Sequence, residues 1–371
     1  MNTRNALWIN KGKPVPPASE YVEMIIKADS NWRLYLATAW LGDGGYYQYY
    51  HWNIYIDNNL IWDISWRSGQ QSYREITSWL TPDSFHNVKI YPNEVDPNTL
   101  VPNYWWLKAF GMGWNCNAGN PLSYRNPVAD YLYEVIYDWS YMGYANSEFI
   151  IGDNFKCLQY AWCSNLTKVL PEVDISQVMR VGTYYREWQY AECISLLESA
   201  TEAISDSITT IGVWFREHQY YGCTSLLTAA DEHDPEEMRN PWHSYREWQY
   251  RNCVSLSTTW AENPPSTLQG WQEYKFNQYD GCTWITTISR VEYLSVTGGS
   301  DYRGDQFKNC WSSEHPLTAY FYWDGVITWS NNSLGLSNAN VYRIYVPSNL
   351  VSAYQNASQR SNIDDNKFVW M

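Results

Sequence analysis

Eight cysteines, six histidines and 39 acidic side chains are the groups in this 371-residue chain with the chemistry for acid–base, nucleophilic or metal work. None of them falls into a spacing that such chemistry requires. A zinc or iron–sulfur site needs bunched ligands such as C-x₂-C. Cys157 and Cys163 are too far apart for that, and His51, His86, His218, His233, His243 and His315 are scattered. No G-x-S-x-G, H-E-x-x-H, Walker or dinucleotide fingerprint occurs. A glycosidase needs only two carboxylates and a sugar platform, but no spacing picks out a pair. Asp231, Glu232, Asp234, Glu236 and Glu237 read as one solvated charge run. The expectation is therefore no catalytic residue, no metal and no cofactor.

What the cysteines do show is a period. Cys163, Cys193, Cys223, Cys253, Cys282 and Cys310 stand 30, 30, 30, 29 and 28 residues apart, the mark of an internal repeat. Aligned on them, six units run Phe155–Leu166, Tyr185–Leu196, Phe215–Leu226, Tyr245–Leu256, Tyr274–Ile285 and Tyr302–Ser313. Each opens with an aromatic and a cation: Lys156, Arg186, Arg216, Arg246, Lys275 and Arg303. A glutamine follows three residues later (Gln159, Gln189, Gln219, Gln249, Gln278, Gln306), then an aromatic, then the cysteine. A residue that recurs at every unit meets the same surroundings each time, which in a stacked repeat is its own copy next door. The cysteines are thus expected to form a buried column of free thiols, since free Cys packs as a small apolar group. The glutamines suit a stacked amide ladder, and the Arg-Glu pairs suit inter-unit ion pairs.

One column breaks the pattern: Leu158, Trp188, His218, Trp248, Asn277 and Asp305. Variation amid constancy implies exposure, and exposed Trp invites a binding role. The candidate binding surface is accordingly Trp188, His218 and Trp248 with Arg186, Arg216 and Arg246 beside them.

Ile211-Gly212 followed by Gln219-Tyr220-Tyr221-Gly222-Cys223-Thr224-Ser225-Leu226 resembles the BspA-type leucine-rich repeat of bacterial surface proteins, roughly I-G-x-x-A-F-x-x-C-x-S-L. Val341-Tyr342-Arg343-Ile344-Tyr345-Val346-Pro347-Ser348 resembles that family's closing strand and VP turn, so the likeness spans about 126–371. The family unit is shorter, ~23 residues. The resemblance implies a solenoid and a cell-surface adhesin.

The elements that position these units follow. Lys11-Gly12-Lys13-Pro14-Val15-Pro16-Pro17 makes residues 1–20 an extended arm or linker. Alternation at Val22, Met24 and Ile26, then Trp52, Ile54 and Ile56, the turn signal Asp57-Asn58-Asn59, and Leu60, Trp62 and Ile64, predicts strands. Residues 21–125 thus read as a β-sandwich-like domain, 126–315 as a leucine-rich-repeat solenoid, and 316–371 as a C-terminal capping segment with a helix from Ser348, whose side chain would cap it. The fold class is mainly β with short helices.

Charge narrows the partners. The net charge is −14 with pI about 4.8, so no nucleic acid is expected. No run approaches the ~20 apolar residues of a membrane span, and Met1-Asn2-Thr3-Arg4 opens no signal peptide. Aromatics are 18% of the chain, which supplies the apolar surface a folded chain needs. The expected function is non-enzymatic recognition of a protein or glycan receptor, on a bacterial surface or on a phage-like particle assembled without export. A structural fibre protein and a carbohydrate-active enzyme are the alternatives.

Overall fold

The computed structural model describes residues 22–27, 34–37, 49–67, 73–77, 83–92, 132–138, 150–151, 156–157, 160–169, 179–201, 208–229, 234, 237–238, 243–259, 267–268, 273–291, 303–322, 334–336, 341–356 and 363–371. The arm over 1–20, Cys116, Phe155, Leu158, Gln159, Tyr302, Asp231, Glu232, His233 and Glu236 lie outside them. The protein is mainly β. Helical pieces among the described residues are a 3₁₀ turn over Ser348–Leu350 that runs into α1 (Val351–Asn356), and a second 3₁₀ turn over Asp365–Lys367. Pro347, not Ser348, holds the N-cap, and no side chain caps it.

The N-terminal region carries β1 (Val22–Lys27), β2 (Leu34–Ala37), β3 (Tyr49–Ile56), β4 (Asn59–Arg67), β5 (Tyr73–Thr77), β6 (Phe85–Pro92) and β7 (Leu132–Asp138). Five form one antiparallel sheet in the order β4-β3-β6-β1-β7, while β2 and β5 make a separate ribbon. Asp57 and Asn58, at φ 49° and 64°, form the β3–β4 turn, which needs two left-handed residues to match the twist of the strands. Met24, Ile26, Ile56 and Val88 are buried on one face. The fifth strand of this sheet lies beyond residue 125, the boundary expected from the sequence. β7 pairs with β1 from Val22↔Asp138 to Ile26↔Leu132, because β1 offers a free edge that an apolar partner strand closes.

The later strands pair in parallel. They are β8 (Ile150–Ile151), β9 (Arg180–Val181), β10 (Thr210–Ile211), β11 (Glu237–Met238), β12 (Thr258–Thr259), β13 (Thr267–Leu268), β14 (Thr287–Val291), β15 (Leu317–Phe321), β16 (Val341–Val346) and β17 (Phe368–Trp370). A single ladder of amides crosses the units: Thr167 N–H to the Tyr133 carbonyl, Leu197 to Thr167, Leu227 to Leu197, Ser257 to Leu227, Thr286 to Ser257, and Thr318 to Thr286, at 2.8–3.3 Å. It joins β7 to β15, so the first sheet and the repeats share one hydrogen-bonded spine. The boundary expected at 315/316 likewise falls inside continuous pairing, since β14, β15, β16 and β17 follow one another. Tyr354 of α1 is fully buried against Phe321 and Phe368 and covers the inner side of these strands.

Within each unit the chain forms a ribbon of successive turns. Alternate residues are left-handed: Tyr184, Arg186 and Trp188 at φ 61°, 55° and 52°, and Trp214, Arg216 and His218 at 58°, 54° and 54°. Each costs about 1 kcal/mol for a residue with a Cβ. The gain is in backbone pairing. Gln189 and Ala191 amides donate within the unit, to Arg186 and Trp188 carbonyls, while Trp188, Tyr190 and Glu192 donate to Glu217, Gln219 and Tyr221 of the next. These five amides thus find protein acceptors in a region where water is largely displaced. Gly212 is required elsewhere, because a Cβ there would lie 2.4 Å from the Gly182 carbonyl carbon.

Candidate functional site

The repeated columns face inward. Tyr185, Phe215, Tyr245 and Tyr274 stack with ring centroids 5.0–5.3 Å apart. Tyr160, Tyr190, Tyr220, Tyr250, Tyr279 and Phe307 do the same at 5.2–5.6 Å. The glutamines form an amide ladder: Gln219 Nε2 donates to Gln189 Oε1, Gln249 to Gln219, Gln278 to Gln249 and Gln306 to Gln278, at 2.9–3.1 Å. Cys163, Cys193, Cys223, Cys253, Cys282 and Cys310 are reduced and buried. The thiols of the last five each donate to the carbonyl of a tyrosine one unit back, as Cys223 does to Tyr190 at 3.1 Å. Burial pushes the Cys193, Cys223, Cys282 and Cys310 thiols well above their ordinary pKa, which leaves them unreactive.

The column expected to be exposed is buried or half-buried where it is described, and so are the arginines beside it. Arg186, Arg216 and Arg246 are 1%, 0% and 0% exposed. Their guanidiniums lie 5.4 Å from the Tyr185, Phe215 and Tyr245 rings and donate to Gln189, Gln219 and Gln249. His218 is buried, stacked on Trp188 at 4.1 Å and edge-on to Trp248 at 4.6 Å. Trp188 and Trp248 are half-buried, and Arg251 lies 5.1 Å over the Trp248 ring. Trp188, His218 and Trp248 thus pack on one another, while Asn277 and Asp305 carry no ring at the same position.

Two titratable groups, one beside this column and one in it, are unusual. Glu217 is pushed up to about 8 by burial, and further by Glu273. His218 is held down at about 3 by burial and by Arg251. Their Oε1 and Nδ1 atoms lie 3.2 Å apart, yet at pH 7 both groups are neutral and the contact is an acid facing an imidazole.

Asp234 itself is not the solvated acid that its place in a charge run suggested. It is 2% exposed and sits between Arg246 Nε at 3.3 Å and Lys275 Nζ at 3.2 Å. The Tyr245 and Tyr274 hydroxyls donate to it at 2.5 and 2.7 Å. Burial alone would raise its pKa, but the two cations and two hydroxyls win and hold the carboxylate ionised. One acid thus clamps the cations of two adjacent units.

The outward aromatic surface is at the other end of the chain. Tyr320 of β15 pairs in register with Tyr345 of β16, and their rings stack at 4.8 Å and 9° on the outer face. With Tyr322, Arg343, Val369, Trp370 and Met371 they line an open groove of about 550 Å³. Tyr322 is 48% exposed and Trp370 71%. The Arg343 guanidinium lies 4.7 Å over the ring of the neighbouring Tyr342. The alternation of Tyr320 and Tyr322 signals a strand, but nothing in the sequence aligns it with Tyr345 and Trp370, since the 30-residue period has ended. The chain matches no known family model, no curated protein and no solved structure.

Proposed function

We propose that this chain is a recognition protein of the adhesin or receptor-binding kind, and that the aromatic groove across β15, β16 and β17 takes a glycan. The groove's composition carries the reading. Stacked Tyr320 and Tyr345 with exposed Trp370 offer flat apolar surface to the C–H faces of sugar rings, Arg343 offers a cation to a sugar hydroxyl or carboxylate, and about 550 Å³ suits a short oligosaccharide. The columns of the repeat region are spent on holding units together, so that region supports the groove by rigidity, not by chemistry.

The finer architecture belongs to the same proposal: an N-terminal β-sandwich, six units stacked as a leucine-rich-repeat solenoid of the BspA kind, and a C-terminal cap. Buried Cys and Leu columns, and amide ladders repeating every 28–30 residues, support the solenoid. The test is binding of the purified chain to a glycan array and to intact bacterial cells. Saturable binding, competed by a defined sugar and lost in Tyr345→Ala/Trp370→Ala at an unchanged melting temperature, supports the reading. Cell binding with no glycan hit makes the receptor a protein. Glycan binding unaffected by those two substitutions removes the groove from the account.

A further inference from the structure

The N-terminal sheet holds a constellation that the recognition reading leaves unused, in the turn where β3 and β4 meet the start of β6. His86 Nδ1 lies 2.8 Å from Asp57 Oδ2, and His86 Nε2 lies 2.7 Å from the Ser84 hydroxyl. A carboxylate only accepts hydrogen bonds, so Nδ1 carries the proton of the neutral ring. Nε2 is then the lone-pair nitrogen, and the Ser84 O–H donates to it. A hydroxyl on a base, with that base oriented by a carboxylate, is the arrangement that activates a serine.

The backbone fixes the three groups. The Asn87 amide donates to Asp57 Oδ1 at 3.0 Å and the Asp57 amide donates to the Asn87 carbonyl at 2.9 Å, so the carboxylate is aimed before His86 meets it. His86 is 8% exposed and stands in register with Ile26 of β1, which holds its ring at the rim of the apolar face. Asp83, at φ 57° and 3.7 Å from Lys27, introduces Ser84 through a left-handed residue. Ser84 itself is only half-buried and open to a small reagent.

We propose that Ser84, His86 and Asp57 form an acyl-transfer site for small carboxylic esters. Ser84 Oγ bonds to the ester carbonyl carbon as its proton passes to His86 Nε2. The C–O bond to the alcohol then breaks, the alcohol leaves with that proton, and Ser84 carries the acyl group. Water repeats the sequence with His86 as base and releases the carboxylic acid and free Ser84. Asp57 touches no substrate and acts as a positioning residue.

The full chain is treated with a fluorophosphonate and, separately, with p-nitrophenyl acetate, and the modified peptide is identified by mass spectrometry. The expected result is stoichiometric modification at Ser84, absent in Ser84→Ala. Acylation should fall by about 10²-fold or more in His86→Gln, the size of a general-base contribution. Because His86 is buried, Asp57→Asn serves as the variant that keeps the fold. It slows acylation without moving the melting temperature, and Asp57→Glu recovers part of the rate. Modification of the wild type no faster than of Ser84→Ala, or an Asp57→Asn protein that folds and reacts at the wild-type rate, overturns the assignment. Failure here leaves the glycan reading untouched, because the two sites share no residue.

Discussion

Glu217→Gln is the substitution whose effect can be worked most fully. In the folded chain Glu217 keeps its proton to about pH 8, whereas its ordinary value is 4.5. Between those values the folded state holds a proton that the unfolded chain has released, so stability falls as pH rises. His218 has the opposite sign. Its folded value is about 3 against an ordinary 6.5, so unfolding takes up a proton between those values and stability falls as pH drops. The two slopes oppose each other between 4.5 and 6.5. Above 6.5 only the glutamic acid acts, at about 1.4 kcal/mol per pH unit, which gives a loss of about 2 kcal/mol from pH 6.5 to 8. A glutamine side chain at this position would keep the shape and a donor toward His218 while removing the titration. The assay is urea unfolding, followed by the fluorescence of the 23 tryptophans, at pH 6.5 and 8. The wild type is expected to lose about 2 kcal/mol more than Glu217→Gln over that interval. Parallel losses in the two proteins would refute a buried neutral acid at this site.

Three further outcomes follow from the same packing. The six column thiols should resist a thiol reagent in the native state and all react on denaturation, because all six are buried and burial raises the pKa of Cys193, Cys223, Cys253, Cys282 and Cys310; rapid native labelling of Cys193 or Cys223 would contradict this. Asp234→Asn removes the charge shared by Arg246 and Lys275 and should cost about 3–5 kcal/mol, read as a drop in melting temperature, whereas a loss under about 1 kcal/mol would mean the clamp is not formed. Asp305→Gly should be neutral or stabilising by up to about 1 kcal/mol, since it relieves a left-handed residue at φ 52° and forfeits an exposed pair with Lys308; a clear fall in melting temperature would contradict it.

Periodicity made the inner columns legible. Cys, Gln and the two aromatic columns must each fit their own copy one unit away, so any deviation leaves a gap or an unpaired amide, and the sequence shows the constraint directly. The same logic misled at Trp188, His218 and Trp248. Those three side chains pack on one another and are buried or half-buried, and variation along a column cannot by itself separate a tolerant packing slot from an exposed one. Arg186, Arg216 and Arg246 misled for another reason. A charge is read as solvent-facing by default, but here a glutamine amide and stacked rings replace water, and at Arg246 so does the Asp234 carboxylate. Asp234 looked like part of a run because a sequence does not show which acid the cations of two later units enclose.

The residues proposed to act on other molecules all lie where the repeat does not reach. Tyr320, Tyr345 and Trp370 come together through β15, β16 and β17, whose spacing no longer follows the 30-residue unit. Ser84, His86 and Asp57 come together through a hairpin turn and the pairing of β3 with β6. This division has a physical cause. A side chain inside a repeated column is held by two copies of itself, so changing it disturbs both neighbouring units as well as its own. A side chain on an aperiodic strand answers only to its local partners, and its outer face is free to be shaped by a ligand. Substitutions in the groove should therefore change binding with little change in melting temperature. Substitutions in the columns should change melting temperature first, and binding only through it.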